Sequence, residues 1–340
     1  MYEKVMFDVE TEIITDLIKA LSKGNVGTTN WLTKKLLEQS KISKRVESIL
    51  KSYAPAIERV IASDINDMIF NTSKETLALL KNAGVDLNIT SSYESILTQY
   101  VSNLKNSYNI TSAGLIGNTP NIYIDAANSI SVLVSSGTIT SDQAIEKLVR
   151  KWSNEGLKSV VDKAGRNWSA YSYSNMILRT TNRNITTNVQ EQTFDDYDID
   201  LVEISSHIGA RPLCEPYQGK VYSRGGKSNK YPALTSTSMG EPAGLFGINC
   251  GHTMYPYMDG TKKTYKPYPK KENKRVYENA QTQRRLERNI RNAKRELQIT
   301  KDAKLNNNAA SLRVKNNQAK MREFIDDTGR TRYYSNERLI

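Results

Sequence analysis

Apolar residues recur every three to four positions through most of the first 160 residues. The first such run has six apolar positions, Val9, Ile13, Ile14, Leu17, Ile18 and Leu21. This spacing places the apolar side chains on one face of a helix. Gly24 follows the run, and a glycine after the last turn is a common helix end. The pattern therefore predicts an amphipathic helix that stops near Gly24.

The same periodicity continues through residues 31–37 and 46–69. Further along, Thr140 stands three residues before Gln143, which is the arrangement of a capping box at a helix start. The apolar residues that follow would form one face of that helix: Ala144, Ile145, Leu148, Val149 and Trp152. We therefore predict a helical N-terminal domain over residues 1–153.

The chain changes character in its middle third. Residues 176–192 favour a further helix, and the alternating, β-branched residues 200–205 predict a strand. Residues 207–260 then hold nine of the 18 glycines and five of the nine prolines, which is typical of long loops. We predict a small, loop-rich α+β module over residues 154–260.

The last part of the chain is helical again. Leu286, Ile290, Ala293 and Leu297 form a narrow apolar seam, and a second helical run ends near Gly329. The three asparagines at 306–308 interrupt the two runs. The sequence predicts a basic helical C-terminal arm over residues 261–340, and an α+β fold for the whole chain.

Charge is distributed unevenly between this arm and the rest of the chain. The net charge is +12, yet residues 261–340 carry 22 Lys and Arg against nine Asp and Glu, while residues 1–260 carry 26 against 27. A basic segment of this kind favours a polyanionic partner such as double-stranded DNA, bound through its phosphates without sequence preference. The alternative is a solvated helix without such a partner. The candidate DNA-binding residues are Arg284, Arg285, Arg288, Arg291, Lys294 and Arg295.

Both histidines and both cysteines lie within 46 residues of the loop-rich module. These residues are His207, Cys214, Cys250 and His252. Two thiolates and two imidazoles form a ligand set that zinc prefers, and four protein ligands would make the ion structural. The spacing is not that of a zinc finger. A structural zinc site is one interpretation, and two buried thiols with two polar histidines and no metal is the other.

Catalytic motifs are incomplete. The run Thr235-Ser236-Thr237-Ser238 contains the Ser-Thr-Ser of one class of ADP-ribosyltransferases, but no Glu-x-Glu or Gln-x-Glu follows it. The sequence contains neither a phosphate-binding loop nor a dinucleotide-binding glycine motif. We predict that the chain is not an enzyme and has no catalytic residues. The alternative is an enzyme delivered with a genome, either an ADP-ribosyltransferase or a metal-dependent nuclease.

Signals for export are absent from the sequence. Residues 1–14 lack a basic segment followed by an apolar one, and no apolar run approaches the ~18–20 residues that span a bilayer. Two cysteines do not make a disulfide framework. We expect a cytosolic product, or one that leaves the cell only inside a particle.

Six blocks between residues 154 and 260 resemble a known family in their order and spacing. They are Gly156-Leu157, Val161-Asp162-Lys163-Ala164-Gly165-Arg166-Asn167-Trp168, Arg179-Thr180-Thr181, Ser205-Ser206-His207-Ile208-Gly209-Ala210-Arg211-Pro212, Tyr217-Gln218-Gly219-Lys220-Val221-Tyr222-Ser223 and Gly247-Ile248-Asn249-Cys250-Gly251-His252-Thr253-Met254-Tyr255-Pro256-Tyr257. Together they resemble the bacteriophage minor capsid protein 2 family, which is similar to MuF-like head morphogenesis proteins. Two positions depart from the family pattern: Cys214 stands where a histidine is common, and Gly251 where a basic residue is expected.

This resemblance implies a structural protein of a tailed phage rather than an enzyme. Such a protein would be assembled in the cytoplasm of the bacterial host and carried in the phage head, in few copies. Its expected partners are the portal protein and other head proteins. Its expected roles are head assembly, with DNA packaging or ejection as further possibilities.

Overall fold

The computed structural model describes residues 2–88, 91–162, 164–248 and 250–339. Lys163 and Asn249, which belong to the resembling blocks, lie outside these ranges. The described residues form seven α-helices: α1 (Tyr2–Leu21), α2 (Thr29–Asn82), α3 (Glu94–Ser135), α4 (Ser141–Glu155), α5 (Ala170–Asp196), α6 (Lys270–Asp302) and α7 (Asn308–Thr328). They also form five short strands: β1 (Lys158–Val161), β2 (Asn167–Ser169), β3 (Leu201–Ile204), β4 (Val221–Ser223) and β5 (Met254–Pro256). The predicted α+β class, dominated by helices, is confirmed. None of the described helices combines the length and the apolar character needed to cross a membrane.

The chain divides into two compact units, and neither is a single segment. Unit 1 contains Met1–Val60, Lys105–Met176 and Gln283–Ile340, and unit 2 contains Ile61–Leu104 and Ile177–Thr282. These units differ from the three consecutive parts that the sequence predicts, because their limits fall inside α2, α3, α5 and α6. The 54 residues of α2 would extend about 80 Å at ~1.5 Å per residue, which is longer than one small core.

Helix α1 is a core element of unit 1. Twelve of its 20 residues are buried, including the polar residues Glu10 and Thr15. The helix ends before Gly24, as the sequence predicts, and the indole Nε1 of Trp31 donates to the Leu21 carbonyl at 3.2 Å. The sequence predicts one apolar face for this helix, but α1 is buried around most of its circumference. A helix in this position is enclosed by the rest of its unit.

A buried ion pair joins α1 to α6. Arg295 Nη2 lies 3.0 Å from Glu10 Oε2, and both side chains are almost fully buried. The guanidinium also covers the ring of Phe7 at 4.7 Å, and Glu10 Oε1 accepts the backbone N–H of Leu157 at 3.2 Å. Arg295 was predicted to bind DNA, but its side chain does not reach solvent and its charge is compensated by Glu10. We therefore remove Arg295 from the candidate DNA-binding residues.

Helices α6 and α7 pack together within unit 1. Leu286 and Ile290 of the predicted seam are buried against Met321 of α7. Arg313 of α7 pairs with Glu296 of α6 and, at 2.9 Å, with Glu146 of α4. The predicted interruption is present, since α6 ends at Asp302 and α7 begins at Asn308. This part of the predicted arm is therefore packed onto other helices of unit 1.

The sheet of unit 2 has the strand order β4-β3-β5, with both neighbours antiparallel to β3. The strand predicted over residues 200–205 is confirmed as β3. In the β3–β5 pair, Val202 lies opposite Pro256 and Ile204 lies opposite Met254. The core around the sheet contains Leu80, Phe194, Ile199, Val202, Ile204, Cys214, Tyr222, Leu234, Leu245, Phe246 and Met254. The central strand is therefore enclosed, and its register is determined by buried side chains.

The Glu10–Arg295 pair can be tested by removing its negative charge. Glu10→Gln would leave Arg295 buried without a counter-charge, and we expect the free energy of unfolding to fall by about 3–5 kcal/mol. Denaturant unfolding of the purified chain measures this change. Glu47→Gln is the matched control, because Glu47 forms an exposed pair with Lys51 and should leave stability nearly unchanged. Equal effects of the two variants would contradict the role of the buried pair.

The capping box of α4 provides a second test. Gln143 N donates to Thr140 Oγ1 at 3.2 Å, and Thr140 N donates to Gln143 Oε1 at 3.0 Å, as the sequence predicts. Thr140→Ala should lower the free energy of unfolding by about 1 kcal/mol, because one N–H of the first turn loses its acceptor. Thr138→Ala changes an exposed threonine outside the helix and should have a much smaller effect. Thermal or denaturant unfolding that ranks the two variants in the opposite order would exclude this cap.

Candidate functional site

Three of the four predicted metal ligands meet inside unit 2. The ligand atoms of Cys214, Cys250 and His252 all lie within 4.8 Å of one another. The two sulfur atoms are 3.9 Å apart, and Cys250 Sγ lies 3.3 Å from His252 Nδ1. A disulfide needs an S–S distance of ~2.05 Å, and both cysteines are free thiols. The three side chains therefore form a compact group of sulfur and nitrogen donors.

The fourth predicted ligand, His207, lies beside this group. Its ring centroid is 4.4 Å from that of His252, although its nitrogen atoms are not part of the three-residue group. His207 Nδ1 lies 3.3 Å from the Ile208 carbonyl oxygen. Nε2 of His207 and Nε2 of His252 are both buried without a hydrogen-bond partner among the described residues. The structure thus brings all four predicted residues into one neighbourhood.

Strand pairing explains why these segments meet. Ile204 lies opposite Met254 in the β3–β5 pair, so the same register beyond the strand ends places residue 207 opposite residue 251. The pairing continues there, since Ser205 N donates to Thr253 O at 3.0 Å and Thr253 N donates to Ser205 Oγ at 2.8 Å. A Cβ atom on Gly251 would lie 3.0 Å from His207 Nε2. Glycine at this position therefore leaves room for the imidazole.

Cys214 reaches the group from a turn held by Arg211. The Cys214 N–H donates to the Arg211 carbonyl at 2.9 Å, directly before the 3-10 turn Glu215–Tyr217. The guanidinium of Arg211 donates to Ile248 O at 2.6 Å and to Gly244 O at 3.0 Å. Arg211 therefore connects the segment that carries Cys214 to the segment that leads into Cys250.

The loop before Cys250 is packed against itself. A Cβ atom on Gly244 would come within 1.9 Å of the Ser238 carbonyl oxygen, so only glycine fits at this position. Phe246 adopts a φ of +57°, which is uncommon for a residue with a side chain. Arg183 stabilises that residue: its guanidinium lies 4.8 Å from the Phe246 ring centroid, and its Nε donates to Phe246 O at 3.3 Å. The loop thus has one packed arrangement around the donor group.

The two thiols lie within hydrogen-bonding distance, with 3.9 Å between their sulfur atoms. This contact holds the pKa of Cys250 well below its usual range and raises the pKa of Cys214. Two thiolates at this distance would repel each other, so ionisation of one thiol disfavours ionisation of the other. Burial, together with the neighbouring His252, lowers the pKa of His207. Its imidazole is therefore neutral at pH 7, which is the form that binds metals.

Arg183 and Arg211 are site residues that the sequence did not identify. Arg211 Nη2 lies 3.8 Å from Cys214 Sγ, and the half-buried Arg183 lies near both thiols. Their positive charges favour a thiolate in this group. Arg211 lies inside one of the resembling blocks, and this position is the one feature of the sequence that could indicate a role for it in the site.

The hydroxyls of the Ser-Thr-Ser run all form hydrogen bonds with backbone groups. Ser236 Oγ donates to Ala233 O at 2.6 Å, and Thr237 Oγ1 donates to Leu234 O at 2.7 Å. Ser238 Oγ donates to Leu213 O at 2.6 Å and accepts the N–H of Leu245 at 2.9 Å. These contacts give the run a role in shaping the loop.

The predicted DNA-binding residues of α6 fall into three groups. Arg284, Arg285 and Arg288 are exposed. Arg291 and Lys294 are half-buried and donate to the carbonyl oxygens of Asn336 and Glu337, respectively. Arg295 is buried with Glu10. The exposed basic face of this helix segment therefore contains three of the six residues.

Sequence comparisons connect the chain to phage structural proteins. A structural protein of Lactococcus phage LL-H is 28% identical over 326 residues, which cover 90% of this chain and 88% of that protein. A structural protein of Lactococcus phage mv4 is 36% identical over 114 residues, which cover 32% of this chain and 93% of that protein. No solved structure shows a significant match. The sequence model described as Phage minor capsid protein 2 matches residues 3–326, which is nearly the whole length. The chain therefore belongs to the phage minor capsid protein 2 family.

Proposed function

We propose that this minor capsid protein is a structural component of a phage head, that it binds the portal protein and other head proteins, and that α6 contacts packaged DNA. The observation that carries the structural role is the family match over residues 3–326. Both phage relatives are named structural proteins, which favours a role in the virion rather than in catalysis.

Binding to other head proteins fits the long helices of the chain. Large apolar side chains are exposed on α2 and α3, where solvent reaches 73% of Leu37, 66% of Phe70 and 65% of Val132. Apolar side chains of this kind gain free energy when a partner covers them. The portal is the proposed partner because the resemblance to MuF-like head morphogenesis proteins implies a position beside it.

Contact with DNA rests on the exposed part of α6. Arg284, Arg285 and Arg288 are the exposed members of the six candidate residues, whereas the other three contact partners within unit 1. Guanidinium groups form charge-assisted hydrogen bonds with phosphates. Because no base-reading motif accompanies them, the contact would be sequence-independent and sensitive to salt. This contact would support packaging or ejection of the genome.

The portal proposal predicts where the protein enters the particle. Procapsids assembled with the portal should contain the chain, and procapsids assembled without it should contain much less. Quantitative mass spectrometry of the two particle types, normalised to the major capsid protein, measures the difference. Equal amounts in both would contradict portal binding while leaving a head location intact. Absence from procapsids and mature heads alike would overturn the structural role itself.

The DNA proposal predicts the effect of neutralising the exposed face of α6. The triple variant Arg284→Gln, Arg285→Gln, Arg288→Gln should bind double-stranded DNA more weakly than the unaltered chain. The slope of log affinity against log salt should fall by roughly one unit for each phosphate that an arginine no longer neutralises. Fluorescence anisotropy at several salt concentrations measures both quantities.

A matched triple variant removes the same charge elsewhere in unit 1. Arg59, Arg150 and Arg322 are exposed on α2, α4 and α7, and their replacement by glutamine should leave the salt slope unchanged. If both triple variants lose affinity equally, the effect comes from net charge rather than from α6, and the proposed surface is wrong.

A further inference from the structure

We propose that Cys214, Cys250 and His252 bind one zinc ion, with His207 as the fourth ligand, and that this ion holds together the three loop segments beside the β3–β5 pair. The inference is independent of the proposed portal and DNA contacts.

The spacing of the donor atoms fits a tetrahedral coordination sphere. With Zn–S bonds of ~2.3 Å, two sulfur ligands of a tetrahedron lie ~3.8 Å apart, and a sulfur and a nitrogen ligand lie ~3.6 Å apart. The distance from Cys214 Sγ to Cys250 Sγ is 3.9 Å, and that from Cys250 Sγ to His252 Nδ1 is 3.3 Å. These two separations are close to those of a tetrahedral site, and the remaining one, from Cys214 to His252, is no more than 4.8 Å.

His207 has the hydrogen bonding of a metal ligand. Its Nδ1 lies 3.3 Å from the Ile208 carbonyl oxygen, so a proton on Nδ1 is donated to that oxygen. This tautomer leaves a lone pair on Nε2, which is buried without a hydrogen-bond partner among the described residues. A ligating histidine commonly donates its other N–H to a backbone carbonyl. The ring centroid of His207 lies 4.4 Å from that of His252, so His207 is placed to complete the sphere if its Nε2 moves towards the three-residue group.

The charge of the site favours a divalent cation. The two sulfur atoms lie 3.9 Å apart, a distance at which two thiolates without a cation between them would repel each other. Zinc binds cysteine as thiolate, so its binding would release the thiol protons to solvent, and its two positive charges would balance the two thiolates. Two sulfur and two nitrogen donors in a tetrahedron are a ligand set typical of zinc. With four protein ligands no coordination position remains for a substrate, so the ion would be structural.

The ion would link three separate loop segments, because its ligands lie in different parts of unit 2. His207 follows β3, Cys214 precedes the turn Glu215–Tyr217, and Cys250 and His252 lead into β5. The surrounding residues 207–260 are rich in glycine and proline and contain little regular structure. A metal bound to three such segments links them more firmly than the small core around them can.

The test begins with the unaltered full chain, expressed without a histidine tag and purified in reductant without chelators. Elemental analysis should find one zinc per chain. Replacement by cobalt should produce the visible absorption of a tetrahedral ion together with thiolate-to-cobalt charge transfer. After incubation with excess zinc and desalting, less than about one tenth of an equivalent would overturn the proposal. A cobalt spectrum without the thiolate band would also overturn it, because the metal would then be bound elsewhere.

Variants test each ligand. Cys214→Ser and Cys250→Ser should both lose the bound zinc, whereas Ser206→Ala, a change beside His207, should retain it. His207→Ala should weaken zinc binding by at least about tenfold, since even residues that only orient a ligand commonly have that effect. Unchanged affinity in His207→Ala would overturn its place as the fourth ligand.

Thiol reactivity keeps the proposal testable if the cysteine variants fail to fold. In the unaltered chain, both thiols should react slowly with a thiol reagent when zinc is present, and at least tenfold faster after a chelator removes it. Equal rates with and without zinc would show that the cysteines do not bind the ion.

Discussion

Antiparallel pairing of β3 with β5 is the constraint on which the arrangement of unit 2 depends. The register that places Ile204 opposite Met254 also brings His207 beside Gly251 and His252. A shift of one residue would turn every side chain of a strand to the other face of the sheet. It would move Ile204 and Met254 out of the core and His252 away from Cys250. Burial of apolar residues in the sheet and the geometry of the donor group are therefore maintained by the same register.

Buried charges have a comparable role in unit 1. The chain has a modest apolar content of 38%, and its helices also meet through polar groups. Glu10 with Arg295, and Glu296 with Arg313, join helices through side chains that carry opposite charges. Any packing that separated Glu10 from Arg295 would leave a charge buried without a partner, which costs several kcal/mol. The apolar faces of these helices specify their packing only moderately. The ion pairs therefore disfavour other packing arrangements of the same helices.

Burial also reduces the positive charge that the basic C-terminal region presents to solvent. Its excess of positive charge, counted along the sequence, overstates the charge that α6 presents to solvent, because Arg295 and Lys294 have partners within unit 1. Three of the six candidate DNA-binding residues are exposed, and any attraction of these three for DNA would be screened by salt. Such a contact suits a head protein that meets a long polyanion without holding one sequence. It is also compatible with a family whose members are structural proteins.

Local spacing in the sequence predicts the helices, the cap at Thr140, the strand at β3 and the break before α7, because each depends on positions within a few residues of one another. It also identifies the four sulfur and nitrogen donors, since the chain contains no other cysteine or histidine. The burial of α1 on most sides, and the pairing of Arg295 with Glu10, 285 residues away, result instead from long-range packing. So do the approach of His207 to His252 and the positions of Arg183 and Arg211. Contacts between residues so far apart in the sequence depend on strand register and helix packing, which local periodicity does not encode.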